Sequence, residues 1–274
     1  MISRRVMLGG VAGLTLPAMT GCASRQTASR VPDNTQPTSP GPSVAGLDAV
    51  IDISHNVTVT DFTLVRRRSN ILGVIHKATE GGDWVDPSFA VRRRQAEGAG
   101  LLWGGYHFGT HQYSGQQQAN TFLAVCRPGP STLMALDFEP NDGNPRNTMT
   151  LAQAEAFVQV VYQATRRMPL VYTHPGWANG APAGRRGIRL AGPVTSGALL
   201  AGCDVWLADH REEPELPFAW AARGWRLWQY AGDQTQGDGA FGDASRTVAG
   251  VSHCDRNLFA GDAPALYRFW NGRA

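Results

Sequence analysis

A single lysine, Lys77, stands beside 24 arginines in this chain of 274 residues. That shortage marks an arginine-biased composition and makes the place of the one lysine worth following. Cysteine is scarce as well: apart from Cys22 there are only Cys126, Cys203 and Cys254. An odd number allows at most one pair even where oxidation is possible, so these three read as buried residues with at most one disulfide. His-x-His, His-Glu-x-x-His and Cys-x-x-Cys are all missing, which removes the usual ligand sets of a metal hydrolase, and no metal or other cofactor is expected. Charge of one sign is lacking too. The formal net charge of +3 falls to about +1 once Arg4 and Arg5 are removed with the leader, which argues against nucleic acid as the partner. The triplets Arg66-Arg67-Arg68 and Arg92-Arg93-Arg94 are short runs of the kind that form solvated helix faces.

What is present begins with an address. Residues 1–22 carry a twin arginine, a short apolar run and the ending Thr20-Gly21-Cys22. The run is too short to span a bilayer. The twin arginine resembles the signal for export of folded proteins, and the ending resembles a bacterial lipobox, whose Cys22 becomes lipidated. Ala23 after the cysteine, by resemblance to other lipoproteins, favours the outer membrane if the cell is Gram-negative. Residues 23–46 are rich in Ser, Thr, Pro, Gln and Asn and cannot bury enough apolar surface to offset their ordering entropy, so they read as a tether. Residues 47–274 have the size of one barrel domain, expected as a monomer.

Within that domain, short apolar runs bounded by turn residues alternate with helical patterns, the mark of an α/β fold with a parallel sheet. Eight strands are expected: 49–54, 73–78, 101–108, 132–138, 169–172, 204–207, 225–230 and 252–258. Asp86-Pro87 opens one helix and Gly98 closes it. A second covers 116–126. The clearest begins at Thr150, which forms a capping box with Gln153 and carries Leu151, Ala154, Phe157, Val158 and Val161 on one face. After Tyr172 the helical pattern fades, so the last three strands lack full helical crossovers.

Chemistry in a parallel barrel sits at the C-terminal strand ends. The fourth strand ends Leu136-Asp137-Phe138-Glu139-Pro140. Alternation puts Asp137 and Glu139 on one face, with Cα atoms about 6.6 Å apart. Two carboxyls that close oppose each other's ionisation and favour a proton donor near neutral pH, as glycoside hydrolysis requires. The motif alone equally allows an Asp and a Glu that merely cap the next helix. Asp52 ends the first strand on the same face as Ser54.

The order Asp-Ile-Ser-His, Lys-Ala-Thr-Glu-Gly, Gly-Gly-Tyr-His-Phe, Asp-Phe-Glu, Val-Tyr-Thr, Trp-Leu-Ala, Leu-Trp-Gln-Tyr and Cys-Asp-Arg-Asn-Leu-Phe-Ala-Gly resembles glycoside hydrolase family 25, the lysozymes that cut peptidoglycan glycan strands, and it runs from Ala49 to Gly261. The resemblance implies an irregular TIM-like (β/α)5(β)3 barrel with about five helices. It implies a muramidase that cleaves the β-1,4 bond between N-acetylmuramic acid and N-acetylglucosamine, with Glu139 as general acid, Asp137 supporting the acetamido group or the developing positive charge, and Asp52 and Asp255 lining the catalytic subsite. Tyr106, His107, Tyr172, Trp228 and Tyr230 would form an aromatic floor under the sugars, though each could equally be core. Lys77 and Glu80 are expected to organise the barrel and not to react. After Trp206-Leu207-Ala208 the family usually has an aromatic residue where this chain has Asp209-His210, so the substrate contacts of that loop differ. Two other readings are a chitinase-like hydrolase, which would carry a longer acidic run where Met134 and Ala135 stand, and a wall-binding lipoprotein on an inactive barrel, against which intact Asp52, Asp137 and Glu139 count.

Overall fold

The computed structural model describes residues 45–272 apart from 185, 233–235, 240, 241, 244–247 and 253; the leader, Cys22 and the tether as far as residue 44 lie outside it. Eight strands close a barrel: β1 (Leu47–Ile53), β2 (Gly73–Glu80), β3 (Leu102–Phe108), β4 (Thr132–Asp137), β5 (Leu170–Thr173), β6 (Val205–Ala208), β7 (Leu227–Ala231) and β8 (Asp255–Phe259). Closure is made by β1, which pairs with β2 on one side (Ile51 opposite Val74) and with β8 on the other (Asp52 opposite Asp255).

The barrel departs from an all-parallel arrangement at β8, which runs antiparallel to both β7 and β1. A parallel return needs a crossover, usually a helix, that brings the chain back to the starting end of the sheet. The chain after β7 instead contains a short hairpin, Gln236–Gly239 with Gly242–Asp243. No helix lies between β7 and β8 among the described residues, and β8 starts from the barrel mouth. Asp255 begins a strand and still reaches the end where the other strands stop.

Helices α1 (Phe62–Arg68), α2 (Phe89–Gly98), α3 (Gly115–Cys126) and α4 (Leu151–Thr165) follow the first four strands, α5 (Pro175–Ala178) is a single turn after β5, and α6 (Ala263–Trp270) follows β8. Neither α1 nor α6 stood out in the sequence. The helix α4 starts as its capping box requires: Gln153 N donates to Thr150 Oγ1 at 3.3 Å while Thr150 N donates to Gln153 Oε1 at 3.0 Å. Such a cap stabilises a helix by about 1 kcal/mol. The helix ends at Arg166, which takes a left-handed conformation with φ 58°.

Side-chain alternation divides the apolar residues into two layers. Val50, Ile75, Leu133, Ala135, Leu170, Trp206, Leu227 and Phe259 fill the interior, where Leu266 and Trp270 of α6 join them and plug the base. Trp270 donates from Nε1 to Trp103 O at 2.8 Å. A Cβ on Gly73 would lie 2.7 Å from its ring, so only glycine admits the plug there. The outer layer sets Ile51, Val74, Leu136 and Phe138 against Val65, Ala96, Phe122, Phe157 and Val161 of the helices. The second arginine triplet is no simple solvated face. Arg92 donates to Ser54 O at 2.7 Å and Val57 O at 2.6 Å, and Arg93 to Cys126 O at 2.6 Å, so the pair ties α2 to the loop after β1 and to the end of α3. Cys126 and Cys203 are buried free thiols, which burial pushes up to about 12, and Cys254 is buried as well.

Candidate active site

Inward-facing residues at the strand ends meet in a cleft of about 430 Å³, lined by Asp52, Ser54 and Asn56 from the end of β1 and the turn after it, Tyr106 of β3, Glu139 just past β4, Tyr172 of β5, His210 after β6, Gln229 of β7 and Asp255 of β8. Four acids gather around this mouth, Asp137 being the fourth, and their mutual repulsion has to be met by donors. Gln229 meets part of it. Its Nε2 lies 3.1 Å from Asp52 Oδ2 and 3.3 Å from Asp255 Oδ2, while its Oε1 accepts from the Tyr172 hydroxyl at 2.9 Å. Asn257 adds a second amide, donating to Asp52 Oδ2 at 2.8 Å, and Trp206 fixes that amide by donating to its Oδ1 at 2.6 Å.

The β4 pair is held differently. Asp137 is 8% exposed, and its Oδ1 is buried with no hydrogen-bond partner among the described residues. Glu139 is half-buried one turn of the pleat further on. Burial, and then the charge of Glu139, push Asp137 well above the usual carboxylate range. Burial, followed by the charges of Asp142 and Asp52, pushes Glu139 up to about 7. Lys77 opposes both shifts. Its ammonium pairs with Glu80 at 2.6 Å and lies 5.0 Å from the Trp84 ring and 4.9 Å from the Phe108 ring. Burial, with the surrounding carboxylates, keeps the hydroxyls of Tyr106 and Tyr172 protonated, their pKa values raised well above 10.

Of the expected residues, Asp52, Asp137, Glu139, Asp255, Tyr106 and Tyr172 come together here. His107, Trp228 and Tyr230 do not. Since Tyr106 faces inward, His107 must face the helices. It is fully buried there, stacked on Phe157 at 4.9 Å and bonded to Thr79 Oγ1 and Gln118 Oε1, and burial lowers it to about 4. Trp228 and Tyr230 share the outward face of β7 because Gln229 between them faces in. Trp228 donates to Asp209 O at 2.5 Å and Tyr230 to Asp48 Oδ2 at 2.8 Å, and neither is exposed. The residues not singled out beforehand are Gln229, Asn257 and His210. A polar residue between two large aromatics on a strand was the available signal for Gln229. His210, at the position where the chain departs from the family pattern, points its Nε2 at Gln229 Oε1 across 3.5 Å. Its loop is fixed by Arg211, which clasps the Asp209 carboxylate at 2.6 Å. Among the described residues no group of His, Cys, Asp or Glu is arranged to hold a metal ion.

Comparison with known proteins agrees with this geometry. The profile of glycosyl hydrolases family 25 matches residues 51–238. Lysozyme M1 of Streptomyces globisporus is 27% identical over 236 residues, spanning 82% of this chain and 71% of that protein. An N,O-diacetylmuramidase of Chalaropsis sp is 32% identical over 122 residues, 38% of this chain and 56% of that protein. In three dimensions the crystal structure of a bacterial lysozyme from Streptomyces coelicolor superposes with a TM-score of 0.66 at 27% identity, covering 84% of this chain and all of that one.

Proposed function

The chain belongs to glycosyl hydrolases family 25, and from that premise we propose that it is a muramidase, a peptidoglycan hydrolase that cuts the β-1,4 bond from N-acetylmuramic acid to N-acetylglucosamine. The observation that carries the reading is the β4 pair: a half-buried Glu139 that keeps its proton to about pH 7, two residues from a buried Asp137 with an unengaged oxygen.

In this reading Glu139 donates its proton to the glycosidic oxygen as the bond breaks. The substrate carries an acetamido group beside the anomeric carbon, and its N–H is the donor that Asp137 Oδ1 lacks. Accepting that hydrogen bond favours the charged form of Asp137 and turns the amide oxygen towards the anomeric carbon, which it attacks to form an oxazolinium ion. Water then opens the ring with Glu139 as base, and the product keeps its β configuration. Carboxylate spacing alone would leave retention and inversion open; the acetamide beside the anomeric carbon favours substrate assistance. Asp52 and Asp255, aligned by Gln229, line the same subsite with negative charge, and Tyr106 and Tyr172 form its aromatic floor.

Digestion of purified peptidoglycan tests the assignment. New reducing ends of N-acetylmuramic acid are expected, and reducing N-acetylglucosamine would replace this reading with the chitinase-like one.

A substrate in the cell wall requires export. We assign residues 1–22 as the export signal, Cys22 as the lipidated residue and the segment that follows as the tether. Cys22→Ser should release the protein from the membrane fraction, and Arg4→Lys with Arg5→Lys should block export by the twin-arginine route. Unchanged membrane partitioning of the Cys22 variant would remove the anchor from the account.

A further inference from the structure

The end of the barrel opposite the cleft carries a ring of arginines. Helices α1 to α4 finish there, because each runs back from the mouth to the start of the next strand. Arg66, Arg67 and Arg68 form the last turn of α1, Arg127 caps α3 and Arg166 caps α4. Arg268 lies on the face of α6 turned away from the buried Leu266 and Trp270. Arg66 is half-buried and the other five are exposed, and none of the six makes an ion pair with a described residue.

Cations at helix C-termini complement the helix dipole, which accounts for several of these arginines one at a time. It does not account for the acids. Each acid at this end is engaged: Asp48 by Arg256 at 2.8 Å, Glu97 by Arg93 at 2.9 Å, Asp204 by Arg223 at 3.1 Å and Arg226 at 3.5 Å, and Asp262 by the Ala265 N–H of the helix it caps. The base is therefore a surplus of positive charge, while the mouth holds Asp52, Asp137, Glu139 and Asp255. With a net charge near zero once the leader is gone, this is a separation of charge and not an excess.

The chain also enters at the base. Strand β1 starts there, and Gly46 just before it lies against Leu258 and Phe259 at the far end of β8. A tether attached at that point ends at the base, not at the cleft. Residues 23–46 separate Cys22 from β1, and random coils of about that length in general span roughly 25 to 30 Å. That reach allows the base to approach within the Debye length of about 8 Å, where arginines respond to anionic headgroups.

We propose that the arginine-bearing base is a docking surface for an anionic phospholipid bilayer, which turns the cleft away from the membrane and towards the wall. The orientation it gives rests on the muramidase and anchor readings above; the lipid preference itself does not require the lipid chain.

The test uses the full chain carrying Cys22→Ser and compares its sedimentation with vesicles of phosphatidylcholine alone and of phosphatidylcholine mixed with phosphatidylglycerol. The expected result is a preference for the anionic vesicles that falls as salt rises. Reversing three base charges, Arg67→Glu, Arg166→Glu and Arg268→Glu, should reduce that preference by more than about a hundredfold, since losing each arginine's charge alone is worth about fivefold. Reversing two exposed arginines near the mouth, Arg146→Glu and Arg189→Glu, should leave it in place. Hydrolysis of soluble glycan fragments by the base variant should match the parent, which separates this proposal from the muramidase assignment. Should the triple reversal fail to fold, the Gln versions of the same three sites give the same readout with a smaller loss. Equal binding to both vesicles, a base variant that keeps the preference, or a mouth variant that loses it equally would overturn the proposal.

Discussion

The mouth and the base of this barrel both collect charge of one sign, and they handle it in opposite ways. At the mouth, acids are drawn into a buried cleft, Asp52 and Asp255 bridged by Gln229, and burial, followed by the charges of neighbouring acids, appears as proton affinity, with Glu139 raised to about 7. At the base, six arginines, five of them exposed, make no ion pair with a described residue, so their charge appears as an outward field. Concentrated and desolvated charge changes protonation and hence chemistry. Dispersed and hydrated charge changes association.

The comparison can be broken most sharply at Glu139. Glu139→Gln should fold and lose about 10² to 10⁴-fold in turnover, the usual worth of a general acid; wild-type turnover on peptidoglycan would remove Glu139 from that role. Asp137→Asn comes next, at about 10²-fold in kcat, comparable to losing one electrostatic contact made in the transition state. A loss confined to KM would show that Asp137 only binds.

The sequence exposed the mouth far better than the rest of the molecule, and the reason lies in the period of a strand. Asp52, Asp137, Glu139, Tyr106 and Tyr172 all sit at strand ends, where an apolar run stopping on a polar residue marks both the position and the face. The family resemblance, carried over motif by motif and not by each strand's face, put His107, Trp228 and Tyr230 into the floor, when Tyr106 and Gln229 had already taken the inward positions. Reversal of β8 was not legible, since it depends on the hairpin path after β7 and leaves no local signature. Helix α6 was hidden for a related reason: it plugs the base with only Leu266 and Trp270, too few residues for a clear period. Nor could the base ring be read as a unit, because its arginines come from distant helix ends that only the closed barrel brings together.

Smaller effects sharpen the contrast. Gln229→Leu should cost about 10 to 100-fold through misplaced Asp52 and Asp255, read mainly in kcat, with the fold intact by circular dichroism. A drop in melting temperature with unchanged turnover of the folded fraction would make Gln229 structural only. The pH dependence follows from Glu139, which must hold its proton: kcat/KM should fall about tenfold per unit above about 7. An alkaline limb that does not begin until pH 9 would contradict the assignment.

Stability carries the same sign. A carboxyl raised from 4.5 to about 7 binds its proton more tightly in the folded state, so stability is greatest below 4.5 and declines as pH rises towards 7. At pH 8 Glu139→Gln should therefore exceed the parent by about 3 kcal/mol, at roughly 1.4 kcal/mol per pKa unit, with the difference shrinking at pH 5. Denaturant melts at the two pH values would show it, and a pH-independent difference would place the shift elsewhere. Smallest of all, the base reversals should change turnover on soluble glycan by less than about twofold, since charges separated by more than a Debye length are largely screened.

The most direct measurement is proton NMR of the anomer formed in the first turnovers on a defined glycan strand. The account, with Glu139 as acid and the substrate's own acetamide as nucleophile under Asp137, predicts a β product that only later mutarotates. An initial α product would contradict it.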